Sequence, residues 1–298
     1  MSVSGPVTVF QAITKRWPAG RVLAHRDFRL MWMGAFLSFF GSQLQNVAEG
    51  DYVWQMTHDQ ALLARVGVMA MLPGTFLFPV IGFLIDIFNK RSVMTSCMVA
   101  LGLGSAFLGF AIQFHFAAYY QFVIVALVAG LFGTVEMPTR QSIVRECVPP
   151  EDISSAIPLQ AMTFNLARVL GPACASIIIV KLGSALCFFL NALSFIALIW
   201  APYMIKADLK PVPRKKEPFK DLIFEGVLYT FRHPSLRKFF ILEAATSILA
   251  IFYVNQLPAY VDTVLHLPRE FLGYARGAVG VGAIGGLLFL GGVSDKEF

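Results

Sequence analysis

The sequence predicts an all-α protein that crosses a membrane many times. Of its 298 residues, 57% are hydrophobic and only 14% are charged, against about a quarter charged in a typical soluble domain. The mean hydropathy is +0.67. The apolar residues gather into runs long enough to span a hydrocarbon core of ~30 Å as single helices. Lys and Arg gather in alternate gaps between those runs. Lipid offers no partner to backbone N–H and C=O groups, and long unbroken apolar runs satisfy them as helices.

Eight spans are expected: Phe28–Met56, Leu62–Asp86, Val93–Phe114, Ala118–Gln141, Ile157–Lys181, Ala185–Ile205, Leu236–Val261 and Leu272–Gly292. Residues 1–27 form an N-terminal segment, 28–205 a six-helix half, 206–235 a linker, and 236–298 carry the last two spans. Lys15, Arg16, Arg21 and Arg26 precede the first span. Lys90 and Arg91 follow the second. Arg145, with Arg140 at its edge, follows the fourth, and Lys206–Lys238 holds nine Lys or Arg. The loops Thr57–Ala61 and His115–Ala117 hold none, and Lys181 and Arg269 stand in the other two. The positive-inside rule puts the N-terminus, the even-numbered loops and the linker in the cytoplasm. The linker begins KADLKPVPRKKEP, a solvated basic stretch suited to an anionic leaflet. In Phe219–Phe231 the residues Phe219, Leu222, Ile223, Val227 and Phe231 share one face, as in a helix lying on a membrane. The first run is too long for a signal-peptide core.

Composition also excludes classes. The net charge of +6 is distributed by topology, so it does not point to nucleic acid. Cys97, Cys147, Cys174 and Cys187 lack CxxC spacing and read as small buried residues, with no disulfide framework and no metal site. All five histidines fall in loops or the linker, leaving no imidazole pair inside the membrane for haem or metal chemistry. HExxH, GxSxG and Walker patterns do not occur, so neither an enzyme nor an ATP-driven pump is expected. No cofactor is expected.

The segment Gly82–Arg91 reads GFLIDIFNKR and sets Gly82, Asp86, Lys90 and Arg91 at a membrane edge. Glycine lets helices approach closely, and the charges sit where water reaches them. The same frame, Gly291 and Asp295, returns 209 residues later. Each copy closes an even-numbered span, a repeat typical of transporters built from related halves. The loop resembles the signature loop of the major facilitator superfamily, as does the order of six spans, basic linker and further spans. Within Gly130–Ser176, the stretches PTRQS (Pro138–Ser142), VPPEDISSA (Val148–Ala156) and FNLARVLGPA (Phe164–Ala173) resemble the exporter branch that includes enterobactin exporters and macrolide efflux proteins. His25–Ala48 and Phe224–Phe240 resemble it too.

That resemblance implies a major facilitator fold with about eight of twelve helices present, the second half being truncated. It implies alternating access, efflux of small amphipathic molecules of the drug or siderophore class, a proton as coupling ion, and the bacterial inner membrane. It makes Gly82, Asp86, Lys90, Arg91, Gly291 and Asp295 a gating loop in two copies. Two alternatives stand beside it: a transport-inactive fragment, and an uptake permease of the same fold. Oligomeric state stays open.

Charges inside spans are costly and become candidates. Asn165, Arg168 and Pro172 share one helix face in the fifth span and can line a cavity; the other reading is an Arg held by a neighbour's carbonyls. Ala167, Gly171, Pro172, Ala175 and Ser176 resemble a fifth-helix antiporter motif with three glycines replaced, or are plain helix packing. Glu136 and Arg140 lie four apart and can pair, as coupling residues by resemblance or as an interface salt bridge. Glu49 and Asp51 close the first span near Arg65, as proton carriers or as an outer ion pair. Glu243 and Arg276 have no assigned role. Gly273, Gly277, Gly282, Gly285 and Gly286 give the eighth span close-packing faces.

Overall fold

The computed structural model describes residues 18–206, 209, 229, 231–246, 252–268, 271–275, 277–278 and 282; among these, the side chains of 18–20, 78–80, 82–87 and 252–255 are not described. The elements are α1 (Pro18–Ala24), α2 (Arg26–Thr57), α3 (Gln60–Ile87), α4 (Lys90–Gln113), α5 (Tyr119–Glu146), α6 (Ile153–Leu182), α7 (Ser184–Met204), α8 (Pro234–Thr246) and α9 (Phe252–Thr263). Residues 271–275 are helical again, and no strand occurs among the described residues.

Helices α2–α7 lie over the first six expected spans, their ends shifted by a few residues. Local chemistry sets those ends. Asp59 Oδ1 accepts the Ala61 amide at 2.7 Å and opens α3. Asn89 Oδ1 accepts the Arg91 amide at 2.9 Å and opens α4. Gly183, at φ +88°, makes the sharp turn between α6 and α7 that a side chain would strain. Five helices among the described residues, α3 to α7, are long and apolar enough to cross a membrane. At 32 residues α2 has the length but is more polar, carrying Gln43, Gln45, Asn46, Glu49 and Asp51. The seventh expected span is represented by α8 and α9, with 247–251 outside the described residues. The Phe219–Phe231 surface helix, Arg276, and most of the eighth span, with Gly291 and Asp295, also lie outside them, as does the side chain of Asp86.

Helix α2 packs between α6 and α7, α4 lies on α5 and α7, and α3 lies on α5. Two of these contacts depend on glycine. A Cβ at Gly41 would meet Asn191 Oδ1 at 2.8 Å, and one at Gly130 would meet the Ala70 carbonyl carbon at 2.8 Å. The apolar interior is divided in two. Phe28, Met31, Met94, Ile143 and Leu198 form a cluster at the Lys90 end. Leu44, Val47, Leu108, Phe122 and Phe188 form another at the Thr57 end. Phe76, Leu103, Leu193 and Trp200 are exposed on the outside, as lipid-facing positions require. Helix α9 meets α2 and α3 at the Thr57 end, whereas no residue of α8 is buried.

Candidate functional site

Between the two apolar clusters lies a polar layer. A cavity of about 250 Å³ is framed by α2, α4, α5 and α7, with Ser38, Ser42, Gln45, Asn46, Ser105 and Asn191 on its wall. Gln45 is the hub. Its Oε1 accepts from Asn191 Nδ2 at 2.7 Å and from Ser105 Oγ, and its Nε2 donates to Glu49 Oε2 at 3.4 Å. The single Ser105 hydroxyl proton is shared between Gln45 Oε1 and the Phe188 carbonyl, 2.9 Å from Oγ. Ser105 and Asn191 are 1% and 3% exposed, so these bonds replace water rather than supplement it.

Glu136 also reaches this cavity. Its Oε1 lies 3.1 Å from Arg140 Nε, so the i,i+4 pair forms even though Pro138 stands between them. Arg140 is 2% exposed, and its guanidinium carbon sits 4.5 Å from the Phe39 ring and 4.9 Å from the Phe164 ring. A desolvated cation–ring contact is worth up to about 2 kcal/mol. Arg140 Nη2 makes no hydrogen bond among the described residues.

A smaller cavity of about 110 Å³ lies where α9 meets α2, lined by Asp51, Trp54, Gln55 and Asp262. Trp54 Nε1 donates to Asp262 Oδ2 at 2.9 Å, a bond between the first six helices and α9. Asp51 is buried and accepts from Gln55 Nε2. Glu49 and Asp51 therefore serve different neighbourhoods, and Arg65 is exposed.

Gly82 and Asp86 occur in the helical backbone of α3. Lys90 Nζ pairs with Glu146 Oε1 at 3.0 Å, and Arg91 Nη2 donates to the Ile205 carbonyl at 3.0 Å. At the same end His25 Nε2 donates to Asp152 Oδ2 at 2.8 Å, and the Lys206 amide donates to Asp27 Oδ2 at 2.9 Å. These four contacts bind the Lys90 end into one collar, and both bases of the repeated motif are engaged inside it.

On α6, Asn165 Nδ2 donates to the Ala161 carbonyl at 3.0 Å on its own helix, Arg168 is exposed, and Pro172 is buried. None of the three lines the polar cavity. Gly171 packs on Gln43 of α2, while Gly273 packs on Pro172 and Ser176. Glu243 on α8 is exposed. The uncharged polar wall was missed in the sequence; its signal was the SQLQN run inside an apolar span and Asn191 at mid-span.

Cys147 caps α5 just outside the membrane-spanning segment, and burial, with Asp27 and Glu146 nearby, pushes its thiol up to about 12. The reactive thiolate is therefore scarce at neutral pH. Maleimide at pH 8 should leave Cys147 unlabelled in the folded protein and label it after denaturation; rapid labelling of the folded protein would contradict this burial. Among the described residues no group of three or more His, Cys, Asp or Glu is placed to hold a metal.

A bundle with an apolar outside, a polar interior and a hydrogen bond to α9 has the make-up of a multi-pass membrane protein. Residues 20–294 match the family described as transmembrane secretion effector. The chain is 23% identical over 265 residues to the Staphyloferrin A transporter of Staphylococcus aureus, covering 86% of this chain and 64% of that one. It is 21% identical over 221 residues to YfiS of Bacillus subtilis, an uncharacterized MFS-type transporter, covering 72% of this chain and 51% of the relative. Its fold is similar to the POT family transporter PepTSo, with a TM-score of 0.54 and 13% identity, over 86% of this chain and 52% of that one. The chain thus spans between half and two thirds of the length of these relatives. The chain belongs to the transmembrane secretion effector family of major facilitator transporters.

Proposed function

We propose that the protein acts in a proton-coupled exporter of small amphipathic molecules, in a bacterial inner membrane with its N-terminus in the cytoplasm. The observation that carries this reading is Glu136, a carboxylate placed on a polar cavity inside a bundle whose outside is apolar. A charge at that depth is expensive and is kept for a pathway. The staphyloferrin A transporter supports a siderophore as the first substrate class to test. Arg168 supports a second polar surface for the substrate. It is exposed near the middle of α6, where lipid would penalise it and a water-filled path would not. Asn165 and Pro172 are proposed to shape that surface, and Asp86, Lys90 and Arg91 to govern switching, with Gly291 and Asp295 as their counterparts.

The test is reconstitution of the full-length protein in vesicles with an acidic lumen. An exporter that exchanges its substrate for protons should accumulate staphyloferrin A or ethidium in that lumen, and a protonophore should abolish the accumulation. Arg168→Ala should remove the flux while inserting normally. Absence of gradient-driven flux for both probes would overturn the coupled-export reading.

A further inference from the structure

We propose that the cavity framed by α2, α4, α5 and α7 is a hydrated proton path within the first six helices. It leads from Asn46 to Glu136, with Gln45 as the residue that positions its water. The inference rests on the proton-coupled reading and locates its proton site.

Three observations converge on it. The cavity's volume of about 250 Å³ has room for several waters, each of which takes about 30 Å³ in the liquid and needs two to four polar partners. Ser38, Ser42, Asn46 and Glu136 supply such partners around the Gln45 hub. The polar groups also extend along α2. Ser38 and Asn46, both on the cavity wall, stand eight residues apart. That separation is ~12 Å along the helix, more than a third of the hydrocarbon thickness. Gln45 lies between those levels, its Nε2 on Glu49 and its Oε1 fixed by Asn191 and Ser105. Finally, Arg140 presents Nη2 without a hydrogen bond among the described residues. A water beside Glu136 would satisfy such a donor.

The step is a proton transfer only. A proton from the acidic side is relayed as hydronium along the cavity water to the Glu136 carboxylate, leaving neutral water behind; Glu136 becomes neutral and loosens its ion pair with Arg140. Arg140 keeps its own protons and its contacts with Phe39 and Phe164. The titratable groups set against Glu136 are Arg140 on its own helix and Cys97 on α4. From α2 and α7 the cavity receives uncharged groups near it, Ser38 and Asn191. Gln45 carries no proton and acts by placing the water.

Two measurements on the full-length protein test the path. In a background with the four native cysteines replaced, Ser38→Cys and Ser42→Cys should react with a small water-soluble methanethiosulfonate, and lipid-facing Leu103→Cys should not. Failure of both cavity positions to react would mean a dry cavity and overturn the proposal. In acid-lumen vesicles with ethidium as probe, Glu136→Gln should lose the stimulation by the gradient, so that accumulation falls to that of vesicles without one. Gln45→Leu should lose it as well, while Gln45→Asn should restore part of it, which a merely structural role would not do. Should Glu136→Gln fail to fold, Glu136→Gln combined with Arg140→Gln provides the same readout without a lone buried cation. Full gradient stimulation in these Glu136 variants would overturn this path alone. No gradient effect in the unaltered protein would overturn the coupled reading and the path with it.

Discussion

Arg140→Ala should be the most damaging single substitution in the first six helices. It removes the partner of Glu136 and empties the space between the Phe39 and Phe164 rings. Breaking a buried pair by deleting one member costs ~3–5 kcal/mol, because the remaining charge has nothing to answer it. The expected result is a large drop in the melting temperature of the purified protein in detergent. Arg140→Gln combined with Glu136→Gln should recover much of it, since neither charge is then left alone. Arg140→Ala melting with the unaltered protein would show that the pair holds nothing together.

Gly130→Leu should prevent α3 and α5 from closing. Even the first carbon of a side chain at Gly130 would meet the Ala70 backbone, with its carbonyl carbon 2.8 Å away. Backbone cannot swing aside as a flexible side chain can, so the helices must separate. Overpacking of this kind costs ~1–3 kcal/mol and sometimes more. Gly130→Ala is expected to lower the melting temperature and Gly130→Leu to reduce the folded yield. Gly133, three residues on, has nothing within 4 Å of the same position. Gly133→Ala is the matched control and should be neutral or stabilising, because Ala outranks Gly in a helix by ~1 kcal/mol. Equal damage at both glycines would mean that helix closeness is not the cause.

The helices of the first half are legible in the sequence as long, mostly apolar runs, α2 being the most polar of them; Asp59, Asn89 and Gly183, which set some of their ends, stand out with the structure. The Glu136–Arg140 pair was legible as well, since four residues along a helix bring two side chains together. Its setting was not, because Phe39 and Phe164 come from distant parts of the chain. Gln45, Ser105 and Asn191 escaped for another reason. In a membrane protein the costly, noticeable residues are charged ones, whereas an uncharged amide or hydroxyl costs less and can face inward from any helix. Their meeting depends on the packing of α2, α4 and α7, which no spacing along one helix reveals. The resemblance puts Lys90 and Arg91 in a gating loop, and the structure bonds Lys90 to Glu146 and Arg91 to the Ile205 carbonyl, both within the first half.

The polarity of α2 bears on how the protein is made. Synthesised before α6 and α7, this helix meets the insertion machinery with Glu49 and Asp51 on it and with Gln45 not yet bonded to Asn191. A carboxylate at the centre of a helix costs ~3 kcal/mol to insert, and less toward the end, where Glu49 and Asp51 stand in α2. The partners that shelter α2 are α6 and α7, which are synthesised more than 100 residues later. Until then the amides of α2 lack the partners they have in the folded protein. Settled burial of α2 is therefore tied to helices made later, and a chain arrested before residue 184 would lack Asn191, the partner of Gln45.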